Sequence, residues 1–148
     1  MNIAKISDSV YYIGVNDRTT QRFEGLWPLP YGVSYNSYVV AGADKVAVID
    51  GVETGHALMQ IDHIKALLGG RCPDYLVINH MEPDHSGAIR VLRQAYPDIT
   101  IVGNAITASM VKGFYGIGCN MLEVKDGDTL SLGGGVDLSF HMLSRIQL

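Results

Sequence analysis

The sequence predicts an α/β fold in which helices cover a mixed β-sheet. Before Asp50 the chain consists of short apolar, β-branched segments separated by turns, which is typical of antiparallel strands. After Asp50, helical and strand-like segments alternate, which is typical of parallel strands joined by crossover helices. A polar loop over residues 79–87 follows one of these later strands. In open α/β sheets, ligands bind at the carboxyl ends of strands, so this loop is the first candidate for a functional site.

Length and composition indicate one globular domain. The chain has 148 residues, 47% of them hydrophobic and 18% charged, which is enough to form a core. The net charge is −4 and the basic residues do not cluster, so we expect no nucleic-acid partner. No apolar run is long enough to cross a membrane and no signal peptide is recognisable, so we expect a cytoplasmic protein without membrane contact. Cys72 and Cys119 are isolated in sequence, and we expect reduced thiols, with a disulfide between them left open.

The first part of the chain predicts short strands and a hairpin. Strands are expected at 3–6, 10–15, 33–41 and 45–50, the last two forming a hairpin through Gly42-Ala43-Asp44. Between them, the region around Pro28 and Pro30 is too rich in proline for a central strand. We expect Phe23, Trp27 and Tyr31 to pack into the core or to cover a site.

The second part of the chain predicts helices between strands. Helices are expected over 55–68, 88–95 and from Asn104 or Thr107 to Phe114, strands at 75–78, 99–103 and 121–124, and a hairpin of 129–132 with 136–140. The apolar spacing of the first helix consists of Ala57, Leu58, Ile61, Ile64, Leu67 and Leu68. His56 and His63 lie on this helix, where we expect surface or partly buried positions, and we assign them no ligand role.

Four potential metal ligands fall in the loop after the strand at 75–78: His80, Glu82, Asp84 and His85. Residues two apart in an extended chain point the same way, so the first three can share a side until the loop bends. Imidazole suits iron, zinc and copper, and carboxylates add hard oxygen donors. Because the loop contains no cysteine, a structural zinc site is not indicated. The spacing predicts half of a dinuclear site, with iron or manganese favoured over zinc.

A simpler interpretation of the same residues stays open. A polar loop of this composition is also typical of a solvated turn, with Pro83 as a turn residue and Ser86 as a helix N-cap. Asp50, at the end of a predicted strand, either orients a ligand histidine or only begins a turn.

The loop His80-x-Glu82-x-Asp84-His85-Ser86-Gly87 resembles the ligand motif of the metallo-β-lactamase superfamily. Glu82 stands where the hydrolases of that superfamily carry a histidine, a variant similar to the flavodiiron proteins, or A-type flavoproteins. Further segments that match this family, in order, are residues 10–17, 22–24, 32–38, 48–50 and 127–130. The resemblance implies a metallo-β-lactamase-like αβ/βα layered fold with a mixed sheet.

The resemblance also implies a function and a ligand set. Flavodiiron proteins reduce O₂ to water or NO to N₂O at a non-haem diiron site, with electrons from FMN and from rubredoxin-like donors. His80 and Glu82 would bind one iron and Asp84 the other, with His85 either binding it or turned away.

The resemblance weakens toward the last residues. The family segment Phe-x-x-x-Pro-x-x-His-Trp aligns with Phe140, and Gln147 then stands for the ligand histidine. His141 would need a shift of six residues to serve instead, so we expect no ligand role for it. We therefore expect residues 1–148 to correspond to the first half of the diiron domain, truncated and without the FMN-binding flavodoxin domain. Such a chain is expected to be inactive alone, and to self-associate or bind a complementary chain.

Three functions are consistent with these observations. The first is a flavodiiron-type oxidoreductase lineage with a diiron centre. The second is a metallo-hydrolase of the same superfamily, in which a metal-bound water attacks an ester or amide. The third is a non-catalytic assembly module that keeps the fold.

Overall fold

A computed structural model describes residues 3–18, 22–23, 27–28, 30–81, 86–118 and 120–143, without the side chains of Arg22, Phe23 and Trp27. Its main feature is a seven-stranded mixed sheet in the order β1-β2-β7-β8-β9-β10-β11. The strands of this sheet are β1 (Ala4–Lys5), β2 (Val10–Tyr12), β7 (Tyr38–Ala41), β8 (Val46–Ile49), β9 (Tyr75–Val77), β10 (Thr100–Gly103) and β11 (Met121–Glu123). Pairing is antiparallel from β1 to β8 and parallel from β8 to β11, so the predicted mixed sheet is confirmed.

Six further strands form three small two-stranded sheets. They are β3 (Val15–Asp17) with β6 (Val33–Tyr35), β4 (Arg22–Phe23) with β5 (Trp27–Pro28), and β12 (Thr129–Ser131) with β13 (Asp137–Ser139). The β12–β13 hairpin turns through three glycines with positive φ, at Gly133, Gly134 and Gly135, as the sequence predicts.

Two predicted strands are each divided in two. The segment predicted at 10–15 forms β2 and β3, and the segment predicted at 33–41 forms β6 and β7, which lie in different sheets. The two segments change sheets side by side, at the point where the Ile13 N–H donates to the Ser37 carbonyl at 2.9 Å. A Cβ on Gly14 would lie 2.5 Å from the Tyr35 carbonyl, so only glycine fits this bend.

The helices lie where the sequence predicts them. A 3₁₀ turn (Thr54–His56) leads into α1 (Ala57–Leu68), and α2 (Ile89–Ala95) and α3 (Ala105–Tyr115) follow β9 and β10. Asn104 caps α3 by accepting the Thr107 N–H at 2.8 Å, and Gly116 ends it with φ +66°. None of the described helices is long and apolar enough to span a bilayer.

The apolar face of α1 differs from the prediction. Leu58, which the apolar spacing includes, is 72% exposed, whereas Gln60 and His63 are buried. His63 is buried because its Nδ1 bonds the Ile13 carbonyl at 2.9 Å. Gln60 is buried because its amide bonds the end of β8. Two polar residues of α1 are therefore buried against polar backbone groups of the sheet.

Each face of the large sheet carries its own core. The larger core lies between the sheet and the helices and includes Val48, Leu76, Ile101, Ile61 and Leu92. The smaller core lies on the opposite face, under the β12–β13 hairpin, and is formed by Val40, Ala47, Val77, Val102, Val124 and Leu132, with Phe140 and others packed at its margin.

Tyr31 is 92% exposed, so the expectation that it packs into the core is wrong for this residue. It lies on a turn beside Gly32, which has φ +82°, and the expectation that it covers a site stays a prediction. The side chains of Phe23 and Trp27 lie outside the described residues. Cys72 is an exposed thiol, and Cys119 is outside the described part of the chain.

Candidate metal centre

The candidate ligand loop begins at the carboxyl end of β9. β8, β9, β10 and β11 run parallel, so the segments that follow them meet at one edge of the sheet. Asp50 follows β8, Asn79 and His80 follow β9, and Asn104 follows β10. The fold therefore brings the predicted motif to the edge at which α/β proteins bind ligands.

Of the four predicted ligands, His80 is described and is half-buried. Glu82, Asp84 and His85 lie outside the described residues, so their roles as ligands stay predictions. Among the described residues, no three histidine, cysteine or acidic side chains are grouped as a metal site would require.

Asp50 holds the first residues of the loop. Its Oδ1 accepts the backbone N–H of Asn79 at 2.7 Å and that of His80 at 3.1 Å. Bonds from backbone N–H groups to a carboxylate are among the stronger hydrogen bonds in proteins. Asp50 thus fixes the backbone that carries the His80 imidazole, which is a support role for the loop.

The backbone of Asp50 has φ +59°, in the left-handed region. This conformation costs a non-glycine residue on the order of 1 kcal/mol and persists where its surroundings fix it. The Asp50 N–H donates to the Val77 carbonyl at 2.8 Å, and the Asp50 carbonyl accepts two further bonds from side chains. The strained conformation turns the carboxylate from β8 toward the end of β9.

A second contact closes the loop at its other end. The Ser86 hydroxyl is buried and donates to the Met81 carbonyl at 2.8 Å. The hydroxyl of Tyr115, at the end of α3, lies 2.8 Å from the Ser86 hydroxyl oxygen. Tyr115 donates this hydrogen bond, because the single hydroxyl proton of Ser86 is already donated to Met81. The prediction that Ser86 caps the following helix is wrong, since α2 begins after Ala88 without a side-chain cap. Ser86 instead ties both ends of the loop together.

An open cavity of about 1220 Å³ adjoins the loop at the same edge of the sheet. Asn79 and Met81, which flank His80, line it, and so do Asn104 and Thr107 at the start of α3. Phe140 and His141 line its side toward the β12–β13 hairpin. The exposed His141 shares a cavity with the ligand loop but belongs to a different segment, and its ligand role is untested.

The remaining described histidines have structural partners. His56 Nε2 lies 3.1 Å from the buried carboxylate of Asp17, and the His56 ring packs on Tyr35 with centroids 5.6 Å apart. His63 bonds the backbone of Ile13. Both observations agree with assigning no ligand role to either residue.

The donor set of the loop fits iron. His80 supplies an imidazole at a fixed backbone position, and the sequence adds two carboxylates and a second imidazole within the next five residues. Imidazole with carboxylate is the donor chemistry of non-haem iron sites, and the carboxylates offset the charge of the metal.

Sequence reasoning missed Tyr115, which contacts Ser86 of the loop, and it missed Gln60 and Ser37, which contact the Asp50 carbonyl. The helical period offered one signal: Gln60 falls on the same face of α1 as Ala57 and Ile64. No comparable signal marks Ser37 or Tyr115, because their roles depend on contacts between distant segments.

Residues 30–141 match the family model of the metallo-β-lactamase superfamily. A curated relative, diflavin flavoprotein A 1 of Synechocystis sp., is 34% identical over 91% of this chain and 23% of its own length. The chain spans about a quarter to a third of the length of the curated relatives first matched.

Solved structures give the same result. A mutant of the flavo di-iron protein of Thermotoga maritima superposes with a TM-score of 0.85 and 29% identity, covering 95% of this chain and 36% of that one. The rubredoxin oxygen:oxidoreductase of Desulfovibrio gigas superposes with a TM-score of 0.82 and 29% identity, covering 89% and 33%. The predicted fold and the predicted resemblance to flavodiiron proteins are confirmed. The relatives that the chain matches are flavodiiron oxidoreductases and diflavin flavoproteins. Because the family model matches most residues of the chain, the chain belongs to the metallo-β-lactamase superfamily.

Proposed function

We propose that this chain supplies a ligand loop of a flavodiiron-type diiron site that reduces O₂ to water or NO to N₂O. The observation that supports this most directly is the anchoring of His80 by the Asp50 carboxylate at the carboxyl edge of the sheet. The loop after this histidine carries Glu82, where a hydrolase of the superfamily would carry another imidazole. An oxygen-rich donor set favours iron that changes oxidation state, because hard anionic donors stabilise the ferric ion.

In this proposal each loop residue has a stated role. His80 and Glu82 bind one iron, Asp84 binds the other, and His85 binds the second iron or is turned away. When bound, the two irons would offer binding positions for O₂ or NO and pass on the electrons that FMN delivers. Asp50 and Ser86 contact no iron, and they hold the backbone of His80 and Met81 at the start of the loop.

The cavity beside the loop suits a small uncharged substrate. Its lining includes the apolar residues Ile78, Met81, Met110 and Phe140, together with polar and charged residues such as Asn104, Glu123, Lys125 and Asp126. O₂ and NO are small and poorly hydrated, so an apolar approach costs them little desolvation.

The proposal includes partners. Four donors divided between two irons give each about two protein ligands, fewer than a closed site uses. We infer that further donors come from outside these residues, from a longer form of the chain, another copy or a complementary chain, and that FMN on another domain or subunit delivers electrons from a rubredoxin-like donor. The relative from Desulfovibrio gigas, named a rubredoxin oxygen:oxidoreductase, supports this source of electrons.

The test is metal content together with mass in solution. The chain is reconstituted anaerobically with Fe(II), freed of excess metal, and measured by elemental analysis and light scattering, with His80→Ala as the matched control. The proposal predicts about two irons per chain or per assembled pair, lost in His80→Ala, and O₂ or NO consumption once an FMN reductant is added. Zinc retention with esterase or lactamase activity would identify a hydrolase instead. A stable oligomer that retains no metal would identify an assembly module.

A further inference from the structure

A buried amide on α1 contacts the residue that holds the ligand loop. Gln60 is fully buried, and its Nε2 lies 3.1 Å from the Asp50 carbonyl and 3.0 Å from the Ser37 hydroxyl. Ser37, also fully buried, donates to the same Asp50 carbonyl at 2.9 Å. Three residues from three separate segments therefore meet at one carbonyl oxygen.

The direction of each hydrogen bond is fixed by chemistry. A carbonyl only accepts, so the Gln60 amide nitrogen must face Asp50. Ser37 has a single proton, which it gives to Asp50, so its oxygen accepts from Gln60. The Gln60 Oε1 consequently points away, and it is buried without a hydrogen-bond partner among the described residues.

This arrangement does not favour the stability of α1. A buried carbonyl oxygen without a partner is unfavourable, and an apolar side chain of similar volume would remove that cost. Methionine is close to glutamine in length and would fill the same space. A role in packing alone therefore does not explain an amide at position 60.

The contacts of Asp50 indicate what the amide does. The Asp50 N–H, carbonyl and carboxylate are all engaged, the carboxylate with Asn79 and His80. Because its N–H and its carbonyl are both bonded, the Asp50 backbone is held at φ +59°, and this sets the direction of the Cα–Cβ bond that carries the carboxylate. The bonds from Gln60 and Ser37 to the carbonyl thus help to place the carboxylate that bonds the loop.

We propose that Gln60 and Ser37 are positioning residues for the ligand loop, acting through Asp50. We call this series of hydrogen bonds the relay: it leads from Gln60 on α1 through Asp50 to the N–H groups of Asn79 and His80. That the positioned loop binds iron rests on the proposed function, whereas the relay itself is a property of the metal-free chain. The two parts can therefore be tested separately.

The test compares Gln60→Met with Ile64→Met, a volume-conserving change at another fully buried position of α1. Hydrogen exchange of the metal-free chain is followed at single amides by NMR, and Fe(II) affinity is measured anaerobically by calorimetry. Gln60→Met should speed exchange at Asn79 and His80 about tenfold or more, leave Leu76 in β9 unchanged, and weaken Fe(II) binding about tenfold to a hundredfold. Ile64→Met should do neither.

Ser37→Ala is the second variant, and it tests the positioning role by itself if Gln60→Met does not fold. It should speed exchange at the same two amides, since it removes one of the two side-chain bonds to the Asp50 carbonyl. Wild-type exchange at Asn79 and His80 in both variants would overturn the proposal, as would equal acceleration throughout α1 and β9. If the wild-type chain binds no Fe(II), the proposed function fails, while the exchange rates still decide whether the relay exists.

Discussion

The backbone nitrogen of His80 lies 3.1 Å from the carboxylate oxygen of Asp50, thirty positions earlier in the chain. The same oxygen accepts the N–H of Asn79 at 2.7 Å. The end of β8 is thereby linked to the start of the ligand loop after β9, so a change at one strand end should alter the geometry at the other.

Glycine and asparagine at position 50 should separate the backbone effect from the carboxylate effect. Asp50→Gly removes strain at φ +59° but also removes the acceptor, so we expect Fe(II) affinity to fall about tenfold to a hundredfold. Asp50→Asn tolerates the same φ and keeps a neutral acceptor, so we expect a smaller loss. Anaerobic titration with Fe(II) measures both.

Asp98→Gly is the matched control, since Asp98 is an exposed carboxylate in the turn after α2. It should leave Fe(II) affinity at the wild-type value. Equal affinities in Asp50→Gly and the wild type would mean that the carboxylate does not support the metal loop.

The two histidines near the cavity should differ in their effect on metal binding. His80→Ala removes the first donor of the loop and should abolish retained iron, whereas His141→Ala, in the segment after the hairpin, should not. Iron content after anaerobic reconstitution measures both. An equal loss in the two variants would show that the alignment of the segment after Phe140 is wrong.

Periodicity and turn chemistry predicted most elements of the fold. The helices, the β7–β8 hairpin and the Asn104 cap follow from spacing within a few residues, which sequence reasoning reads directly. The division of the strand at 33–41 between two sheets did not follow. It depends on a bend shared with the segment around Gly14, and no local propensity encodes that contact.

The sequence indicates candidate donors, whose ligand roles stay predictions, but it does not indicate the residues that support them. His80 stands out because imidazole and carboxylates recur at short spacing after a strand. Gln60 lies by its spacing on the buried face of α1, but its polarity is typical of a surface residue. Its burial depends on the bond that it donates to the Asp50 carbonyl, and no local pattern indicates such a contact between distant segments.

The contact between Tyr115 and Ser86 should be worth about 1 kcal/mol in the free energy of unfolding. Tyr115→Phe keeps the ring that packs under Arg90 and loses only the hydroxyl, so we expect a loss of about 0.5–1.5 kcal/mol. Ser86→Ala should cost at least as much, because it also frees the Met81 carbonyl. Urea unfolding measures each variant.

The double variant tests whether the two hydroxyls share one bond. Tyr115→Phe combined with Ser86→Ala should cost less than the two single losses added together. Ser109→Ala, at an exposed position of the same helix, should leave the free energy of unfolding within about 0.5 kcal/mol of the wild type. Full additivity of Tyr115→Phe and Ser86→Ala would mean that their contact does not stabilise the loop.

Removing the hydroxyl of Tyr96 should make the chain more resistant to alkaline pH. Burial raises the pKa of Tyr96 above its ordinary value of 10.0, and the thiolate of Cys72 raises it further. Above about pH 10, Tyr96 keeps its proton in the folded chain and loses it in the unfolded chain. The contribution of Tyr96 to the free energy of unfolding is therefore complete below about pH 10 and decreases as the pH rises above that value. The pKa of Tyr12 is also raised, mainly by burial and further by the neighbouring Tyr38. Part of the decrease in the free energy of unfolding at alkaline pH should therefore remain in Tyr96→Phe.

The expected result for Tyr96→Phe is a shallower loss of stability above pH 10 and no loss at pH 7. The Tyr96 hydroxyl is buried without a hydrogen-bond partner among the described residues, so its removal should leave the free energy of unfolding unchanged or raise it by up to about 1 kcal/mol. Tyr31→Phe, at a 92% exposed side chain, is the matched control and should follow the wild type at every pH. Urea unfolding between pH 7 and pH 11 measures all three chains. A slope in Tyr96→Phe as steep as that of the wild type would place the alkaline sensitivity elsewhere, since the proton that this hydroxyl retains in the folded chain would then contribute nothing.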